Sequence, residues 1–142
     1  MQSINKTSGM EDVRINVKTK LSALWVAMML LYIYADILSL FRPGQIEKMT
    51  QGLMGPFPVT QGSLFMAATL MIIPAAMVFL SLMLKSPLAR WANITAGVLY
   101  TAVNLSNLIG ESWAYYMFFG IVELAVTSLI VWYAWKWPKQ QT

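Results

Sequence analysis

The chain has 142 residues, 58% of them hydrophobic and 11% charged, with a formal net charge of +4 and neither cysteine nor histidine. A soluble domain carries roughly a quarter charged residues, so this composition points to a surface solvated by lipid and leaves too little chain for a separate soluble core. The missing residue types exclude haem with His or Cys ligation, cysteine-ligated clusters, the usual zinc sites, thiol–disulfide exchange and any Ser–His or Cys–His nucleophile within this chain. No cofactor and no metal site is therefore expected.

Residues 1–20 read as a polar tail carrying Lys6, Arg14, Lys18 and Lys20. The first apolar run, LSALWVAMMLLYIYADILSL, covers residues 21–40 and is close to the roughly 20 residues that a helix needs to cross a bilayer. It is too long for a signal-peptide core and meets no small-residue cleavage site, so it is expected to be a retained span. Near its end Tyr32, Asp36 and Ser39 fall on one helical face. Asp36 is either one wall of a polar pocket or a hydrated interfacial residue paired with Arg42.

The segment 41–62, FRPGQIEKMTQGLMGPFPVTQG, divides in two. Pro43 suits a first helical position, and Ile46, Met49 and Leu53 recur at helical spacing, which predicts a short amphipathic helix on the membrane face. Gly52, Gly55, Pro56 and Pro58 then break it, and Thr60 or Ser63 can cap the next span. The segment is either an ordered connector or a lid over a pocket.

The second run covers residues 63–84, with Pro74 near its middle. A proline there deletes the bond to the carbonyl of Leu70 and should kink the helix. The third run, residues 88–109, carries a polar stripe of Tyr100, Asn104 and Asn107 that continues to Glu111 in the following turn. Deeper in, Asn93, Gly97 and Thr101 form a small or polar ridge suited to close helix packing. The fourth run, residues 113–135, holds Glu123 near its middle, on one face with Tyr116, Phe119 and Thr127. A charged carboxylate at a helix centre costs about 2.5–3.5 kcal/mol on insertion scales, so Glu123 should face the bundle interior. Residues 138–142 form a second short tail.

Eight basic residues fall on the side of the two termini and the turn between runs two and three, against Arg42 and Lys48 on the other. The positive-inside rule then puts both termini in the cytoplasm, with an inner-membrane location. It also accounts for the sequence pI near 9.5 without nucleic acid as a partner. The expected fold is an all-α integral membrane four-helix bundle within residues 21–137.

The segments LYIYADILSLFRPGQIE, MGPFPVTQGSL, NLIGESWAYY and WYAWKWP resemble a family of small, functionally uncharacterised four-span bacterial membrane proteins, from about Glu11 to Pro138. A more distant likeness to DoxX-like four-helix membrane proteins rests on size and span count. The resemblance implies the topology and carries no mechanism.

Two functions fit these residues. In the first, Asp36, Glu123, Asn104, Asn107, Glu111, Tyr32, Tyr100, Tyr116 and Arg42 line an outward-facing pocket that binds or transports a small solute or cation, as intramembrane acids commonly do. In the second, the chain is a structural or accessory subunit whose polar stripe holds helices together within a homo-oligomer or against a partner membrane protein. An enzyme acting on a lipid or quinone-like substrate ranks last, because acid–base catalysis needs a substrate within hydrogen-bond reach.

Overall fold

The computed structural model describes residues 13–138. The greater part of the polar tail read at residues 1–20, and most of that at 138–142, with Lys6 and Lys139, lie outside the described residues. Four long helices form where the apolar runs lie: α1 (Val17–Ser39), α3 (Gln61–Met83), α4 (Ser86–Leu108) and α5 (Ala114–Trp135). Helix α1 starts before Leu21 because the Asn16 side chain accepts the Lys18 amide at 2.9 Å and caps it. Residues 17–20 therefore belong to the helix and not to the tail. Thr60 and Ser63 form a reciprocal capping box at the start of α3.

The connector between α1 and α3 carries α2 (Gln45–Thr50) and two short strands, β1 (Leu53–Met54) and β2 (Phe57–Pro58). Pro43 lies in the turn ahead of α2, whose N-cap is Gly44 at φ 75°. The strands pair antiparallel, with Leu53 opposite Pro58 and Met54 opposite Phe57. Gly55 supplies the positive φ of 59° that the two-residue turn needs. An all-α description thus omits one small hairpin, formed where the sequence showed only helix breakers.

Helix α1 packs against α3 and α5, and α4 packs against α3 and α5, most extensively α5. Helices α1 and α4 therefore stand diagonally across the group. Each long helix contributes one buried stripe: Leu21, Trp25, Met28 and Tyr32 on α1; Pro74, Met77 and Ser81 on α3; Asn93, Gly97, Tyr100 and Asn104 on α4; Gly120, Glu123, Thr127 and Ile130 on α5. Spacings of three and four residues keep each set on one face.

Polarity is inverted relative to a water-soluble domain. Asn93, Asn104 and Thr127 are 0% exposed, while Phe65 is 75% and Phe118 67% exposed. Such an apolar exterior suits lipid as solvent. Three helices, α1, α3 and α5, are long and apolar enough to cross a membrane. Helix α4 is as long at 23 residues but more polar, and its asparagines at 93 and 104 point inward.

Two glycines permit the close approach of α4 and α5. A Cβ on Gly97 would lie 2.7 Å from Val131 Cγ2, and one on Gly120 would lie 2.5 Å from Leu108 Cδ2. Helix α3 runs unbroken through Pro74. The Leu70 carbonyl that this proline deprives of its helical donor accepts a hydrogen bond from the Tyr100 hydroxyl of α4 instead.

Candidate binding cavity

The buried polar groups divide between the two ends of the helices. Towards the end that carries Lys18, Arg90 and Lys136, the groups are paired apart from Arg90 Nε, which is buried without a partner among the described residues. Asn93 Oδ1 accepts from Trp25 Nε1 at 2.8 Å and from Ser81 Oγ at 3.1 Å, and its Nδ2 donates to the Ala89 carbonyl at 2.8 Å. One asparagine thus ties α1, α3 and α4 together. Lys18 Nζ donates to the Leu84 carbonyl at 2.5 Å and closes the C-terminus of α3. Of the ridge expected at Asn93, Gly97 and Thr101, Gly97 meets α5, while Thr101 donates back to the Gly97 carbonyl at 2.8 Å within its own helix.

Towards the other end a cavity of about 190 Å³ opens between the four long helices. Its walls include Tyr32 and Asp36 of α1, Ala67, Leu70 and Met71 of α3, Tyr100 and Asn107 of α4, and Tyr116 and Glu123 of α5. Residues from spans far apart in sequence meet there because α1, α4 and α5 each turn a polar stripe to the shared axis. The α3 wall was not legible as such: Ala67, Leu70 and Met71 are ordinary apolar residues and carry no signal of a site.

Glu123 is 5% exposed, and its carboxyl makes no hydrogen bond among the described residues. The nearby Thr127 hydroxyl donates to the backbone carbonyls of Glu123 and Leu124 and not to that carboxyl. Asn104 lies behind the wall, fully buried. Its Oδ1 accepts from the Tyr32 hydroxyl at 2.6 Å, and its Nδ2 is buried without a partner among the described residues. Turning the amide over would exchange the two atoms and still leave one unpaired. The Tyr32 and Tyr100 rings lie with centroids 6.4 Å apart, and Trp25 backs Tyr100 edge-on at 5.8 Å. Both phenols are thereby held in place.

Asp36 stands at the mouth. It lines this cavity and also a second one of about 480 Å³. The second lies beneath α2 and the hairpin, with Gln45, Met49, Leu53, Met54 and Val59 in its walls. The connector therefore walls the space on one side of Asp36, itself an exposed residue.

Three of the residues expected at the pocket do not line it: Asn104, behind the wall, and Arg42 and Glu111, which sit elsewhere. The latter two pair with each other, Nη2 to Oε2 at 3.0 Å, with side chains 19% and 13% exposed. Arg42 Nε also donates to the Tyr115 hydroxyl at 2.6 Å, and its guanidinium lies 4.9–5.4 Å from the ring centroids of Tyr116, Tyr115 and Trp113. Pairing between Arg42 and Asp36 is accordingly replaced by pairing with Glu111. Glu111 Oε1 accepts the amides of Ser112 and Trp113 at 2.8 and 2.9 Å. Burial opposes its ionisation, but the Trp113 and Ser112 amides and the Arg42 guanidinium hold its carboxyl below the usual carboxylate range. The pair is a clamp between the α1–α2 turn and the start of α5.

The cavity thus holds two carboxyl groups, three phenols and one carboxamide, with no basic side chain among its lining residues. No group of three or more acidic, His or Cys side chains suited to a metal occurs among the described residues. A family model described as a family of unknown function (DUF6326) matches residues 10–142. No curated protein and no solved structure matches the chain, so the likeness to DoxX-like proteins gains no support. With nearly its whole length matched, the chain belongs to the DUF6326 family, a family of unknown function.

Proposed function

We propose that this chain is a four-span protein of the cytoplasmic membrane, with both termini inside, that binds or transports a small solute or cation through an outward-facing polar cavity. The exposed apolar helix surfaces support the membrane setting, and the inward polar face of α4 lets it cross beside the three apolar helices. The eight-to-two distribution of basic residues supports the orientation.

One observation carries the functional reading. At the basic end the Asn93 cluster is fully paired, and the unpaired Arg90 Nε there belongs to a guanidinium that donates through Nη2 to the Trp135 carbonyl, whereas at the loop end Glu123 and Asn104 each keep unpaired polar atoms in or beside a cavity. A buried polar group without a partner is costly, and a membrane supplies none. Two carboxyl groups sharing one small cavity repel when both are ionised, and a bound cation or proton relieves that repulsion. Arg42 cannot serve as counter-ion, being held by Glu111.

The Asn93 cluster favours a second reading for its own half of the molecule, that of polar glue in a structural or accessory subunit. The two readings separate on ligand-linked stability. A ligand at 100 times its Kd that binds only the folded state stabilises it by about 2.7 kcal/mol. Thermal unfolding of the detergent-solubilised protein against a panel of cations and polar solutes should find a stabilising ligand. Asp36→Asn and Glu123→Gln should abolish that gain while the folded protein persists. If no solute stabilises the wild type and both variants instead change the oligomer's size, the structural reading is correct.

A further inference from the structure

The cavity's charge is one-sided, two carboxyl groups with no basic side chain, and the geometry points to a primary alkylammonium ion, a small organic amine in its protonated form, as its ligand. This rests on the binding reading above and narrows it to one chemical class. The Tyr32 hydroxyl spends its proton on Asn104 Oδ1, and the Tyr100 hydroxyl spends its proton on the Leu70 carbonyl. The Tyr116 hydroxyl and the Asn107 carboxamide, also in the wall, make no hydrogen bond among the described residues and can accept as well as donate. Asp36 and Glu123, when ionised, only accept. Glu123 is nine-tenths buried, unpaired among the described residues, and part of the cavity wall, so the site is more than a pair of acids near one another.

A ligand matched to the two carboxyl groups carries positive charge and donates to them. An ammonium group has three donors and no acceptor, and the oxygens of Tyr116 and Asn107 offer it further acceptors beside the carboxyl groups. The remaining lining, Ala35, Ala67, Leu70, Met71 and Val103, is apolar and suits a short hydrocarbon tail. The same lining counts against a bare metal ion. Calcium takes six to eight oxygen ligands, and magnesium demands six in near-ideal octahedral array, whereas the acidic groups here number two. A quaternary ammonium would offer no N–H to the carboxyl groups. A neutral alcohol of the same shape would bring no charge to them.

The test is titration calorimetry of the full-length protein in detergent with n-propylammonium chloride. Tetramethylammonium, sodium and magnesium chlorides and n-propanol serve as matched comparisons. Propylammonium should bind saturably, at least about tenfold more tightly than the other cations, and propanol should give no signal. Glu123→Gln should weaken propylammonium at least about tenfold, the scale of one charge-assisted hydrogen bond. Should that variant fail to fold, Asp36→Asn at the mouth provides the same readout, and the contrast between propylammonium and propanol on the wild type needs no variant. Binding of sodium, magnesium or tetramethylammonium at equal or greater affinity would overturn the alkylammonium assignment and leave the cation reading intact. Absence of binding by every cation would overturn both.

Discussion

Replacing Tyr100 by Phe removes one hydroxyl and keeps the ring that packs against Trp25. The carbonyl of Leu70 then loses its donor, since Pro74 has no N–H to offer it. Leaving a buried acceptor unpaired costs about 1–3 kcal/mol, and measured hydrogen bonds within membranes run from about 0.6 to 1.7 kcal/mol. The expected loss is therefore about 1–2 kcal/mol. Pro74→Ala restores the helical donor but trims a fully buried side chain, so the single change should lie within about 1 kcal/mol of wild type. In that background Tyr100→Phe should cost under about 0.5 kcal/mol, because the carbonyl is already paired. A double-mutant cycle, read by SDS-induced unfolding in mixed micelles, should give a coupling of roughly 1 kcal/mol. Equal losses in both backgrounds would refute the claim that the hydroxyl stands in for the missing amide.

The Arg42–Glu111 clamp makes stability fall in acid. With its pKa held below the unfolded value of about 4.3, Glu111 contributes fully above that pH, and the contribution is lost as pH falls through the folded value. Glu111→Gln should cost about 1–2 kcal/mol near neutrality and flatten the acid limb of the stability curve; an unchanged limb would place the acid sensitivity elsewhere. Gly97→Ala puts a Cβ 2.7 Å from Val131 Cγ2 and should destabilise the α4–α5 pair by about 1–3 kcal/mol, measured by the same SDS titration. Gly120→Ala meets the flexible end of Leu108 and should cost less. Asn93→Leu leaves Trp25 Nε1 without its acceptor and should cost about 1–3 kcal/mol, detectable also as a shift in tryptophan emission.

Helical spacing alone identifies the polar faces. Tyr32 with Asp36 and Tyr100 with Asn104 and Asn107 recur at three- or four-residue intervals, Tyr116 and Glu123 stand seven apart, two helical turns, and lipid leaves such faces only the interior. Partners are another matter, because a period fixes a face but not the rotation of one helix against the next. Nothing local to Arg42 marks Glu111, 69 residues away, as its partner in preference to Asp36, which lies six residues before it. The replacement of the Pro74 amide by a hydroxyl from α4 depends on the same unseen rotation. Asn16 as a cap and Lys18 as a closure of α3 lie within a stretch whose composition reads as a polar tail, and the partner of Lys18 is not local enough to mark it. The hairpin formed by Leu53, Met54, Phe57 and Pro58 is too short for alternation to show.

The central claim is a water-accessible cavity open to the outside, reaching from Asp36 to Glu123. The chain lacks native cysteine, so Asp36→Cys, Asn107→Cys and Glu123→Cys can each be probed singly in intact cells with a membrane-impermeant thiol reagent. Labelling of all three from outside is the predicted result. Labelling at position 36 alone, with 107 and 123 protected, would make Asp36 an interfacial residue above a sealed bundle and contradict the account.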